Sequence, residues 1–154
     1  MHRPTRRASL TLGALAAATL LGGTAAVAGG ASTDLLKAPM QGSVLSDPPL
    51  FGAVRGGAPW VITSGEAKLA SDGTVKVSLD GLLIPGVGVG PVRTVSPTVA
   101  CNGTAVATTP AVPFSAAGDA AIKARVTLPD RCLAPAVLVN PNGNAAVYIA
   151  ATGH

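Results

Sequence analysis

Two runs of alternating residues flank Ser71-Asp72-Gly73, and no other feature constrains the fold of this chain so tightly. Upstream, Val61, Gly65, Ala67 and Leu69 alternate with Ile62, Ser64, Glu66 and Lys68. Downstream, Val75, Val77 and Leu79 alternate with Thr74, Lys76, Ser78 and Asp80. A period of two sends successive side chains to opposite faces, so each run reads as a strand with one apolar face. The loop length then fixes which residues meet. A three-residue loop closed by a left-handed glycine pairs Leu69 with Val75 and Ala67 with Val77. A two-residue Asp-Gly loop would set Leu69 against Lys76 and break the apolar face. The three-residue loop is therefore expected. It places Lys68 opposite Lys76, a like-charge cost that Glu66 on the diagonal offsets.

The remaining chain carries the same kind of signal. Val92 to Ala100 reads as a strand reaching Cys101 and interrupted at Pro97. Asn102-Gly103 is a hairpin turn leading into Thr104–Thr108. Val112-Pro113-Phe114 is a short edge element. Ile122, Ala124, Val126 and Leu128 alternate with Lys123, Arg125 and Thr127, which favours a strand over a helix capped by Asp119. Val137-Leu138-Val139 and Val147-Tyr148-Ile149 flank the turn-rich stretch Asn140–Asn144. About eight short strands joined by Gly, Pro and Asn turns indicate an all-β chain, a single antiparallel β-sandwich of Ig-like or Greek-key type. Residues 29–59 show no sustained period and read as an extended lead-in or early edge strand. Pro48-Pro49 there could hold Leu50-Phe51 against the domain, which is expected over residues 60–154.

Residues 1–28 read as a secretory signal peptide. Arg3, Arg6 and Arg7 form a basic head, Leu10–Leu21 an uncharged apolar run, and Ala26-Val27-Ala28 an A-x-A exit with Ala26 and Ala28 as the cleavage positions. The rival is an uncleaved anchor extending to Ala28, which Gly13, Gly22, Gly23 and three threonines disfavour. Thr5–Leu10 has a twin-arginine look, with Ser9 where a large apolar residue is usual. No cysteine marks a lipoprotein, so no stable membrane anchor is expected after cleavage.

Subtracting this segment changes the charge argument. The chain has eleven basic and seven acidic residues, and removing the three arginines leaves eight against seven. Lys37, Arg55, Lys68, Lys76, Arg93, Lys123, Arg125 and Arg131 are scattered along the sequence. Nucleic-acid binding, which needs a concentrated positive face, is not expected. His2 leaves with the signal and His154 is the last residue, so a catalytic triad or histidine metal site lacks its imidazole. Cys101 and Cys132, an even count in an exported chain, are expected to form a disulfide.

Several side chains invite a sharper reading. Gly86, Gly88 and Gly90 lack the strand-then-helix context of a phosphate cradle and read as a loop. Glu66, the only glutamate, with Asp72 or Asp80 would be the carboxylate pair of a glycosidase, but an ion pair with Lys68 or Lys76 explains it more simply. Asp119, Asp130, Asn140, Asn142 and Asn144 offer oxygens to calcium, yet read as turn residues. Trp60, Tyr148, Phe51 and Phe114 are too few for a binding platform and read as core anchors. Asn102-Gly103-Thr104 matches a glycosylation acceptor and is read as a turn. No cofactor is expected.

Trp60-Val61-Ile62 with Gly65-Glu66-Ala67, Val99–Gly103, Cys132–Val139 and Asn140–Ala150 resemble small secreted proteins of high-GC Gram-positive bacteria. The resemblance covers roughly residues 60–152 and implies export and a compact β-rich domain with one disulfide. It implies no catalytic residues. The expected function is that of a secreted non-enzymatic module, acting in the cell envelope or on a protein partner. The alternatives are a secreted protease inhibitor using Thr108–Pro113 as its loop, and a small secreted hydrolase.

Overall fold

A computed structural model describes residues 30–153. The expected signal peptide, with Ala26 and Ala28, lies outside the described residues, as do His2 and His154. Every regular element among the described residues is a strand: β1 (Asp34–Gly42), β2 (Val54–Arg55), β3 (Ser64–Ala70), β4 (Thr74–Asp80), β5 (Thr94–Cys101), β6 (Thr104–Thr108), β7 (Val112–Pro113), β8 (Ala120–Arg125), β9 (Ala136–Pro141), β10 (Val147–Tyr148) and β11 (Ala150–Thr152). The chain is all-β, as its patterning predicts.

Among the described residues the strands number eleven rather than about eight. Two of the additional ones, β1 and β2, lie in the expected lead-in. The third arises because Val147–Ile149 does not form one strand. Val147 and Tyr148 pair in parallel with Val54 and Arg55, and Ala150–Thr152 then turns to pair with β9. The lead-in is a correction of larger consequence. The compact unit begins at Ala31, not near residue 60, and β1 sits in the middle of the main sheet. Its period was hidden because the register slips between Asp34 and Leu36.

The main sheet runs β6-β5-β9-β11-β1-β3-β4-β8, with β7 also on β5. It curls at β1, which changes partner along its length. Asp34–Pro39 pairs with β3, and Met40–Gly42 pairs with β11. Two half-sheets thus share one strand and enclose one core. Leu69, Val75, Val77 and Ile122 come from one half, and Val95, Val99, Val137 and Val139 from the other.

The β3–β4 hairpin has the predicted register: Leu69 opposite Val75, Ala67 opposite Val77, and Lys68 opposite Lys76. Gly73 takes φ 81°, and its amide donates to the Ala70 carbonyl at 2.9 Å. Its own carbonyl accepts the Val126 amide at 2.9 Å, and a Cβ on residue 73 would overlap the Val126 carbonyl. Glycine is needed there for both conformation and space. Asn102 and Gly103, at φ 56° and 80°, form the two-residue turn between β5 and β6. The Asn102 side chain binds the Arg131 carbonyl and the Leu133 amide, and Cys101 is bonded to Cys132. The hairpin tip and the second cysteine's segment are thereby stitched together.

Pro97 does not interrupt β5. It pairs with Val139 on one side, and its carbonyl accepts the Thr109 amide at 2.8 Å on the other. Thr109 falls in the gap between β6 and β7, so no strand residue on that side calls for the amide proton that Pro97 lacks.

The two half-sheets differ on their outer faces. Segments 43–55 and 142–149 cover that of β5, β9 and β11, with Leu50, Phe51, Ala53, Leu138, Tyr148 and Ala151 forming a second small core. For this reason β5 and β9 are buried on both faces and read as nearly continuous apolar runs. Nothing comparable covers β3, β4 and β8, which keep the strict alternation of strands with one wet face.

Candidate functional site

The uncovered outer face carries the most unusual arrangement of side chains in the described structure. Lys37 on β1 stands opposite Lys68 on β3, Lys68 opposite Lys76 on β4, and Lys76 opposite Lys123 on β8. Directly opposed residues of antiparallel strands point to the same face. The four lysines therefore form one row across four strands, about 14 Å long at the usual spacing between strands. The expectation that the basic residues are scattered is corrected here: sequence distance separates them, and non-local pairing assembles them.

Shallow hollows lie on both sides of the row. One is bordered by Glu66, Ser78 and Ala121, the other by Asp34, Ala70, Thr74 and Arg125. Mostly small side chains leave the lysines standing proud of the sheet. Glu66 pairs with Lys68 at 2.9 Å and reaches Lys37 at 3.9 Å. The hydrogen bond from Lys68 holds the Glu66 carboxyl below its ordinary range, and the same bond raises the Lys68 ammonium. Arg125 is taken up by Asp72 at 2.6 Å. Lys76 and Lys123 form no ion pair among the described residues.

Like charges set directly opposite each other destabilise a sheet. For Lys123 the fold offers a reason, because β8 is an edge strand and an edge lysine discourages pairing with another chain. Lys76 has no such reason, since β4 is paired on both sides. The row is a concentration of positive charge that the fold does not require.

Most of the other sequence candidates are engaged locally, while Asp130 is exposed at the surface. Glu66 and Asp80 share the outer face as diagonal neighbours, because Glu66 faces Ser78 and Ser64 faces Asp80. No enclosed cleft joins them among the described residues, and the Lys68 hydrogen bond favours the ionised form of Glu66, the opposite of what a general acid needs. Asp72 lies at the hairpin tip, beyond the lysine row from Glu66. There its Oδ1 accepts the Thr74 amide at 2.9 Å, the leading cause of its lowered pKa. Asp119 accepts the Gly81 amide, Asn142 the Arg93 and Thr94 amides, and Asn144 the Ala146 amide. Asn140 is buried between Thr98 and the Val147 carbonyl. These oxygens serve turns and strands, and the set is not gathered round one point. Gly86, Gly88 and Gly90 form turns before Pro91. Trp60, Phe114 and Tyr148 are buried, and Phe51 packs on the second core. In the Thr108–Pro113 segment, Thr109 is buried and tied to Pro97, which leaves Pro110 and Ala111 as a short exposed tip.

Sequence reasoning reached one step of the lysine row, the Lys68–Lys76 pair, through the hairpin register. Lys37 and Lys123 could not be added without knowing that β1 and β8 flank that hairpin. No family model, curated protein or solved structure matches the chain.

Proposed function

We propose that this chain is an exported, non-enzymatic binding module whose recognition surface is the outer face of β1, β3, β4 and β8. The observation that carries the reading is the Lys37–Lys68–Lys76–Lys123 row, which sets like charges opposite one another and leaves Lys76 and Lys123 without an ion pair among the described residues. A partner from the envelope or a protein with complementary negative charge would relieve that repulsion on binding. The disulfide suits an oxidising compartment, and the resemblance to secreted proteins of high-GC Gram-positive bacteria points the same way. Against a hydrolase stands the engagement of Glu66 and Asp72 in ion pairs and a turn.

The test is capture from an envelope fraction by immobilised protein, comparing the natural chain with Lys76→Gln/Lys123→Gln. Recovery of material that the variant fails to retain supports the reading. Equal recovery by both proteins, or none by either, removes this face as the recognition surface.

A further inference from the structure

We propose that the lysine row binds a linear phosphate-bearing polymer laid across the strands of β1, β3, β4 and β8. The inference rests on the preceding reading of this face and names its ligand class. Four lysines follow one another on strands spaced about 4.8 Å apart, so their side chains rise from the face along a line rather than from one point. A linear polyanion matches a line, whereas a small anion would engage only one or two of the four. The hollows on either side are open and shallow, which suits a chain passing over the surface rather than a ligand enclosed by it.

Residue types narrow the chemistry. Lysine is a compact point charge that meets the oxygens of a tetrahedral phosphate from many directions, whereas the planar arginine fork, which fixes carboxylate or phosphate bidentately, is missing from the row. The one arginine on this face, Arg125, is already held by Asp72. Ser78, exposed beside Lys76, adds a hydroxyl donor. None of Phe51, Trp60, Phe114 and Tyr148 borders either hollow, so bases would find no stacking platform. The polymer is therefore recognised by its phosphates and not by nucleobases. Glu66 acts as an internal competitor, since it occupies Lys68 and Lys37.

The experiment titrates long-chain inorganic polyphosphate into the full chain by calorimetry, between about 50 and 200 mM salt. Arg3, Arg6 and Arg7 are replaced by Gln in every protein compared, so that only the folded domain's charges differ. Full engagement of the row predicts log K falling against log salt with a slope of about −3, from about 0.7 per phosphate neutralised. Lys76→Gln/Lys123→Gln should bind at least tenfold more weakly, with the slope shallower by about 1.4. Glu66→Gln, which frees two cations, should bind more tightly. Arg93→Gln/Arg131→Gln removes the same charge away from the face and should leave binding unchanged. Thermal melts confirm that each variant is folded.

Equal losses in the two double variants would show that net charge alone is read and would overturn the proposal. Equal affinity for poly-L-glutamate would overturn the phosphate assignment, and tighter binding of oligo-dT than of polyphosphate would overturn the exclusion of bases. If polyphosphate fails to bind while envelope capture still depends on Lys76 and Lys123, only the ligand class falls. If both fail, the reading of this face falls with it.

Discussion

The Tyr148 hydroxyl donates to the Pro48 carbonyl at 2.7 Å, joining residues one hundred positions apart. This bond pins the segment carrying Leu50, Phe51 and Ala53 over the outer face of the β5–β9–β11 half. Removing the hydroxyl in Tyr148→Phe leaves the ring in place and the carbonyl without that donor. The expected cost is about 1 kcal/mol in urea unfolding. Hydrogen exchange should locate the loss, with the Leu50 and Ala53 amides, which bond to each other's carbonyls, exchanging faster than those of β3 and β4.

Gly73→Ala should be among the most damaging single-methyl additions. It forces a left-handed conformation on alanine and drives a Cβ into the Val126 carbonyl. The expected loss is at least about 2 kcal/mol, from the conformation and the overlap together. Gly57→Ala is the control, because that position is open and has no positive φ. A denaturation midpoint for Gly73→Ala equal to that of Gly57→Ala would contradict the turn assignment.

Replacing both cysteines by alanine opens a loop with a sequence separation of 31 residues. Chain entropy alone assigns that loop roughly 3–4 kcal/mol. Because Cys101 is also fully buried, its truncation adds a small cavity cost. Equilibrium unfolding with and without reductant should show the natural chain approaching the double variant once reduced.

The acid limb of stability has a defined sign. Glu66 and Asp72 both sit below their ordinary values of 4.5 and 3.8, so the unfolded chain binds protons more readily than the folded one. Their contribution is present above those values and lost as pH falls through the lowered folded ones. Lys68, raised above 10.5, contributes below that value and loses its contribution as pH climbs through the raised one. Melting temperature against pH should therefore fall off on the acid side, and Glu66→Gln/Asp72→Asn should flatten that limb between about pH 5 and 2.

Lys76→Gln tests whether the row costs stability. Removing one of four facing cations should raise the melting temperature by about 1–3 °C at low salt. The gain should shrink as salt screens the row. A fall in melting temperature would mean that Lys76 has a structural partner and would remove the argument that the row exists for binding.

What could be read from the sequence follows a physical boundary. Where partners are adjacent in the chain, a few residues decide the outcome. Leu69 must meet Val75 for the hairpin to keep its apolar face, and Asn102-Gly103 supplies two positive φ angles in succession. Where pairing is distant, local pattern is silent. β1 carries a bulge and Pro39, so Leu36, Ala38 and Met40 conceal a central strand within an irregular stretch. Pro97 misled in the opposite direction, because its tolerance depends on a gap between two strands that lie later in the chain. The lysine row combines both cases. Its central pair is a consequence of loop length, and its outer members depend on neighbours reached only through the fold.

The exchange of partners along β1 also decides how the domain bears a load. β1 and β11 are antiparallel, with Gly42 opposite Ala150 and Met40 opposite Thr152. Asp34 and Thr152 therefore exit toward the same side. Tension between them peels the β1–β11 ladder apart one rung at a time instead of shearing all its bonds together, and the ladder has only three register pairs. The seam that joins the two half-sheets is thus a line that such tension opens from one end.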